Sequence, residues 1–351
     1  MRAARWYGRR DIRVEEVSPR SPASGEVQIR VDCAGICATD LHEYTHGPQF
    51  ISTTPHPRTG RSAPVTMGHE FTGVVDAVGP DVAGFEEGDR VVSEASLPCG
   101  RCVHCRKGEY ILCREPAYLG FAWDGAFADA CTVPAAICHK VPAQLKSADA
   151  VLIEPLASAM HAVRRGRVAV GQTVAIIGTG TIGLSTLLCA RAAGATHVYT
   201  VDKIASKRSK ALTMGAELAL DPGDGDPVTK ILDATSGQGV DVAFECVGST
   251  NTVALATRCT RVQGRTVVVG VSVEPQPFSF LDTLLNEREI CGTAGYFGEF
   301  EICMDLVADG RINPQPLITA SIDLEDIVPR GFEPFSSPDN ENIKIVVNLQ
   351  A

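Results

Sequence analysis

The sequence predicts an α/β protein in two parts: a β-rich region with long loops, and a doubly wound parallel sheet that follows it. Three observations carry this. Residues 1–150 hold short β-branched runs broken by Gly and Pro, such as "EVQIRVDCAGIC", "EFTGVVDAVG", "GDRVVSEA" and "AFADACTVP". From about residue 170 strand and helix patterns alternate, which predicts a parallel sheet covered by helices on both faces. The last run, "IKIVVNLQ", is β-rich again and is expected to rejoin the first region. In order, "QTVAIIG" reads as a buried strand, "TIGLSTLLCARAAG" as a helix, "HVYTVD" as a strand and "SKRSKALTMGA" as a helix. "VDVAFECVG", "NTVALATRCTR" and "RTVVVGV" continue the alternation, and "DPGDGDP" is a polar turn between elements.

Bulk properties narrow the function classes. A length of 351 residues suits two domains, and 44% hydrophobic residues are enough to bury their cores. The formal net charge of −10 argues against a nucleic-acid partner, whose phosphates would be repelled. No apolar stretch is long enough to span a membrane. The start, "MRAARWYGRRDIRVEE", lacks the apolar run of a signal peptide and carries acidic residues that a transit peptide avoids, so a cytoplasmic location is expected. Thirteen cysteines, an odd number without a paired framework, point to a reducing compartment.

Cys99, Cys102, Cys105 and Cys113 lie in "CGRCVHCRKGEYILC", a spacing that suits one tetrahedral structural zinc. Four thiolates close such a site, so chemistry needs a second, open one. Candidate ligands lie in three segments: "GICATDLHEY" with Cys37, Thr39, Asp40 and His42; "MGHEFTGVV" with His69 and Glu70; and "LIEPLASAMHAV" with Glu154. Cys37 and His69 would supply thiolate and imidazole, and Glu154 or Glu70 the carboxylate. Zinc makes an alcohol that it binds more acidic, which prepares the carbon to release hydride. Thr39 and His42 are spaced to pass the proton outward. His104 reads as exposed, and His139, His161 and His197 as packing or solvent residues. His46 and His56 lie in a loop that could line the site.

Gly178-Thr179-Gly180-Thr181-Ile182-Gly183 follows a strand and opens a helix, as a dinucleotide fingerprint requires. Asp202 ends the next strand, where it can bond the ribose hydroxyls and repel a 2′-phosphate. NAD is therefore expected rather than NADP.

Together these motifs resemble the zinc-containing medium-chain dehydrogenases: Cys37 in "GICATDLHEY", "GHEFTG", the four-cysteine lobe, Glu154-Pro155 and "GTGTIG", in order over the whole chain. Within that family, "CATDLHEYTHGPQFI", "HPRTG", "APVTMGHEF" and the glutamate at 154 resemble the butanediol and sorbitol branch. The resemblance implies a GroES-like catalytic domain over 1–155, its zinc lobe at 95–115. It implies a Rossmann cofactor domain over 156–290, a chain return over 291–351, and an active site in the cleft between domains. It implies hydride exchange between a secondary alcohol and NAD, two zinc ions per chain and a homodimer or homotetramer. In the polyol branch Glu70 can ligate directly while the Glu154 equivalent acts through water. Lys207 stands where relatives place an adenine-stacking arginine, with Arg208 next, and Ala38 follows the zinc cysteine. The expected cofactor contacts are Gly178, Gly180, Thr181, Ile182, Gly183, Asp202, Lys207 and Val247. The expected reaction joins 2,3-butanediol and acetoin. Alternatives are a polyol or L-threonine dehydrogenase, or, from another class, a non-catalytic protein that binds nucleotide and zinc.

Overall fold

The computed structural model describes residues 1–249, 251–271, 279–337 and 339–350. The chain divides into two compact units, residues 1–154 with 300–308 and 318–351, and residues 155–299 with 309–317. The first opens with β1 (Arg2–Gly8), β2 (Asp11–Glu16) and β3 (Glu26–Gly35). Helix α1 (Ala38–His46) follows, then β4 (Val65–Thr66), β5 (Glu70–Val78), β6 (Arg90–Ser93) and β7 (Ser96–Leu97). A single turn, α2 (Val103–Arg106), lies inside the cysteine lobe before β8 (Ala117–Tyr118), β9 (Ala130–Pro134), β10 (Cys138–Lys140) and α3 (Ser147–Ala150). Helix α4 (Ile153–Gly166) precedes β11 (Thr173–Ile177), α5 (Thr181–Ala192), β12 (His197–Val201), α6 (Ala205–Thr213) and β13 (Leu218–Leu220). Next come α7 (Pro227–Ala234), β14 (Val240–Glu245), α8 (Thr252–Cys259), β15 (Thr260–Val268), α9 (Phe280–Leu285) and β16 (Glu289–Gly292). Finally α10 (Phe300–Ala308), β17 (Ile318–Asp323) and β18 (Lys344–Asn348) belong to the first unit.

The first unit is built on a sheet of order β10-β6-β5-β3-β18-β17, with β9 also paired to β3. The final strand therefore does rejoin the first region: Val346 of β18 faces Gly35 of β3, and Gly35 in turn faces Glu70 of β5. This register brings three distant segments to one place. The core below includes Trp6, Ile29, Tyr44, Phe71, Phe127 and, from the return, Ile322, Phe332, Ile345 and Val347. Phe332 meets the rings of Tyr44 at 5.0 Å and Phe127 at 6.3 Å.

The region is not all β. "ATDLHEYTH" forms α1, whose buried residues Asp40, Glu43 and Tyr44 follow the helical spacing. Two of the three are acidic, so an apolar period was weak in the sequence, and burial of polar groups decided the face.

The second unit is a six-stranded parallel sheet in the order β13-β12-β11-β14-β15-β16. This is the doubly wound order, in which ligands bind outside the carboxyl ends of the strands where the order reverses. Val174, Ala175, Ile176 and Ile177 of β11 are all buried, the continuous apolar run of a strand covered on both faces. Asp226 caps α7 by accepting from the Val228 N–H at 3.1 Å, with Pro227 in the first turn, so "DPGDGDP" both turns the chain and starts a helix. Residues 291 and 292 stay with this unit because β16 is hydrogen-bonded to β15.

Candidate active site

Cys37 is the N-cap of α1, and Asp40 is the third residue of its first turn. The Asp40 carboxylate accepts from the Cys37 N–H at 3.0 Å and stands 3.3 Å from His69 Nδ1. One fully buried carboxylate thus fixes a backbone N–H and faces the Nδ1 side of the imidazole, leaving His69 Nε2 to face elsewhere. Sequence reading missed this role of Asp40. Its signal was the spacing of a capping box, in which an N-cap residue and an acid three positions on support each other.

Ligand atoms of Cys37, His69 and Glu70 lie within 4.8 Å of one another. Burial pushes the Cys37 thiol up, Glu70 adds to that, and His69 opposes it. For His69 burial works downward, but Asp40 and Cys37 outweigh it and hold the ring well above its ordinary value. A thiol, an imidazole and a carboxylate crowded this way form a donor set that fits a divalent cation, which displaces such protons. Glu154, the other candidate carboxylate, falls outside this mutual 4.8 Å set.

Glu70 has a second neighbour that no motif announced. Lys344, the first residue of β18, is buried and donates from Nζ to Glu70 Oε2 and, at 3.0 Å, to the Ile36 carbonyl. Burial would lower this ammonium, but Glu70, Cys37 and Glu154 together hold it above the usual lysine value. The candidate carboxylate is thus bound to a fixed positive charge.

Thr39 Oγ1 stands 3.4 Å from His69 Nε2, the nitrogen that Asp40 leaves free. His42 is three residues on along α1, hence on the same face. Burial, then the nearby His46, lowers His42 below its ordinary value, so it is neutral and can accept a proton. An aromatic wall adjoins His69: Phe121 lies 5.3 Å from its ring, and Phe50 meets Phe121 edge-on at 5.5 Å. The buried Glu43 carboxylate holds the Phe50 loop by accepting from the N–H groups of Gln49 at 3.1 Å and Phe50 at 2.7 Å.

The remaining histidines have other partners. His161 pairs with buried Glu299, His139 with Glu94 and Glu301, and His197 with Glu217. His104 is half-buried rather than exposed and pairs with Glu109 at 3.0 Å, away from metal duty. His46 meets Thr45 Oγ1 at 2.7 Å. His56 lines a cavity of about 420 Å³ beside Arg58, Arg101 and Arg114.

Cys99, Cys102, Cys105 and Cys113 also lie within 4.8 Å of one another. Tetrahedral zinc with ordinary zinc–sulfur bonds holds its sulfurs roughly 3.8 Å apart, and here Cys99 lies 3.9 Å and Cys102 3.5 Å from Cys105. The N–H groups of Cys99, Cys102 and Glu115 point at sulfurs, and the N–H of Cys105 leads those that pull the Cys102 thiol down to about 6. Arg58 ties the lobe's two ends together, donating to the carbonyls of Leu97 at 2.8 Å, Pro98 at 3.3 Å and Glu115.

In the second unit the glycine turn joins β11 to α5. Gly178 has φ +95°, and a Cβ on it would meet Val247 at 2.5 Å; one on Gly183 would meet the Gly178 carbonyl at 1.8 Å. A Cβ on Gly180 would meet nothing within 4 Å, so the turn is open there. That space, with Gly180 as the N-cap of a helix that Thr181 and Ile182 begin, fits a pyrophosphate. Asp202 accepts from the Thr179 N–H at 2.7 Å and its hydroxyl at 2.9 Å, beside the turn. Arg208 is committed to Asp221 at 2.8 Å and the Asp202 carbonyl at 2.9 Å, while Lys207 is partly buried and lowered by that burial.

Residues 23–143 match the alcohol dehydrogenase GroES-like domain, and residues 181–309 match the zinc-binding dehydrogenase domain. The chain is 36% identical to (R,R)-butanediol dehydrogenase of Bacillus subtilis, over 99% of each chain. The crystal structure of 2R,3R-butanediol dehydrogenase from Bacillus subtilis superposes with a TM-score of 0.93 over 99% of each chain. A putative zinc-binding dehydrogenase from Sinorhizobium meliloti 1021, bound to NADP, is 32% identical with a TM-score of 0.91, covering 99% of this chain and 98% of that one.

Proposed function

Because the chain belongs to the zinc-dependent medium-chain dehydrogenases and is an oxidoreductase acting on CH–OH groups, we propose that it interconverts 2,3-butanediol and acetoin with NAD(H). The observation that carries this is the crowding of Cys37, His69 and Glu70 against Thr39 and an aromatic wall. Cys37 and His69 would hold a catalytic zinc, with Glu70 or Glu154 as the carboxylate. When bound, zinc supplies Lewis acidity to the substrate oxygen. Asp40 orients His69, Thr39 takes the hydroxyl proton, and neutral His42 receives it. Phe121 and Phe50 offer an apolar surface that suits the methyl group of a short diol better than the hydroxyl-covered chain of a polyol. Cys99, Cys102, Cys105 and Cys113 would hold a second, structural zinc.

NAD is the cofactor this reading favours. Asp202 would meet the ribose, and Arg208, tied to Asp221, is not available to a 2′-phosphate. Gly178, Gly180, Thr181, Ile182 and Gly183 would cradle the pyrophosphate, with Lys207 and Val247 beside it. No described helix is long and apolar enough to cross a membrane, and none of the thirteen cysteines forms a disulfide among the described residues, which suits the reducing cytoplasm. The exposed apolar side chains of α9 support a homodimer or homotetramer.

The test is NADH formation followed by absorbance, with butanediol stereoisomers, sorbitol and threonine, each with NAD or NADP and with or without a chelator. Chelator-sensitive activity on butanediol with NAD is expected. Turnover of sorbitol or threonine alone would move the substrate to that alternative, and no turnover of any alcohol would leave the non-catalytic reading.

A further inference from the structure

At the end of β14 a carboxylate is buried with no cationic partner among the described residues. Glu245 has no exposed surface. Its Oε1 accepts from the N–H groups of Val247 and Gly248, both at 2.8 Å. Its Oε2 is buried and has no hydrogen-bond partner among the described residues. The charge is thus answered by the two N–H groups of one loop. Burying a carboxylate is costly, and a plain turn needs none.

The surroundings are shaped to admit it. The Glu245 carbonyl accepts from Val269 at 2.8 Å and Gly270 at 2.9 Å, so the ends of β14 and β15 are joined there. A Cβ on Gly270 would meet the Gly248 nitrogen at 2.2 Å and Glu245 Oε2 at 2.8 Å. On the other side, Cys246 N–H bonds the Ile177 carbonyl at 2.8 Å, next to the glycine turn. Between them Val247 rests against Gly178, at a separation that leaves no room for a Cβ. The carboxylate sets the loop, the loop sets Val247, and Val247 sets one wall of the turn where the sheet order reverses.

We propose that Glu245 is the positioning residue of the cofactor pocket: by holding the 246–248 loop it presses Val247 onto Gly178 and keeps the glycine turn in its binding shape. This rests on the dehydrogenase reading and deepens it, since Glu245 has no exposed surface and acts through the loop. The carboxylate acts through two N–H bonds, so an uncharged acceptor of the same length should replace it.

The experiment is titration of the purified enzyme with NADH, read by fluorescence, together with kcat and KM for NAD. Glu245→Ala should weaken NADH binding and raise KM for NAD about tenfold or more, the loss of charge-assisted bonds, with kcat at saturating NAD changed much less. Glu245→Gln, which keeps the acceptor, should restore binding to within about threefold of the wild type. A folded Glu245→Ala enzyme that binds NADH normally would overturn the proposal, as would a Glu245→Gln variant as weak as Ala. If Ala does not fold, Gly270→Ala carries the test, because its methyl group would press on the Gly248 nitrogen and on Glu245 Oε2 and so part the carboxylate from the same loop. It should raise KM for NAD to a similar degree, and an unchanged KM would refute the role. A wild-type protein that binds no NADH would instead sink the dehydrogenase reading itself.

Discussion

Lys344 and Glu70 are both buried, and each makes the other tolerable. Breaking such a pair leaves one buried charge alone and destabilises by about 3–5 kcal/mol, whereas removing both partners is far milder. Lys344→Met should therefore lower thermal stability sharply, and the double variant Glu70→Gln/Lys344→Met should recover much of it. Thermal melting of all four combinations of the two sites measures this; a double variant as unstable as Lys344→Met would show that the charge pair is not the cause. His42 yields a second residue-scale prediction. Its proton affinity is lowered by burial and His46, and only the neutral ring can accept a proton. Diol oxidation should rise with pH through a limb lying on the acid side of 6.5, the ordinary histidine value. His42→Ala should remove that limb and lower kcat at pH 7 about tenfold or more. A wild-type pH profile in that variant would exclude His42 as the acceptor.

Among elements, the cysteine lobe depends on more than its thiols. Arg58 lies in the loop before β4 and reaches the carbonyls of Leu97, Pro98 and Glu115, on both sides of the four cysteines. Lysine lacks the planar fork for three such bonds. Arg58→Ala should speed loss of the zinc proposed for this lobe to a chelator about tenfold, and Arg58→Lys should restore its retention only in part. A colorimetric chelator follows the release, and an unchanged rate would limit Arg58 to a surface role. The lobe was plain in the sequence because four cysteines within fifteen residues can hardly avoid one another. Arg58 was not, since its partners are backbone carbonyls about 40 to 57 residues away, which carry no side-chain signature. Helix α1 lies between these cases: its candidate ligand and relay residues were legible, but its helical form was hidden by buried acids.

For the whole molecule, α9 presents Phe280, Leu281, Leu284 and Leu285 at 64–80% exposure, on the unit whose sheet ends at β16. Exposed apolar residues grouped like this mark an association surface, and a second copy is the occupant that the family resemblance favours. Light scattering should give a dimer or tetramer, and Leu281→Glu/Leu285→Glu should shift it to a smaller species with the fold intact. An oligomer unchanged by both charges would place the contact elsewhere.

The alternation of strand and helix, the glycine fingerprint with Asp202, and the four-cysteine lobe were all legible in the chain, because each depends on spacing within a few dozen residues. The same holds for Cys37, His69 and Glu70 as candidates, since thiolate, imidazole and carboxylate declare their chemistry by type. What linked them came from the packing of segments that no local spacing joins. The ladder of β18, β3 and β5 delivers Lys344 to Glu70, 274 residues away. The packing of Phe50 on Phe121 walls the site, and the closure of β14 against β15 buries Glu245. Those outcomes follow from burial, which turns an ordinary lysine or glutamate into a partner that must be matched, and burial is a property of the folded chain.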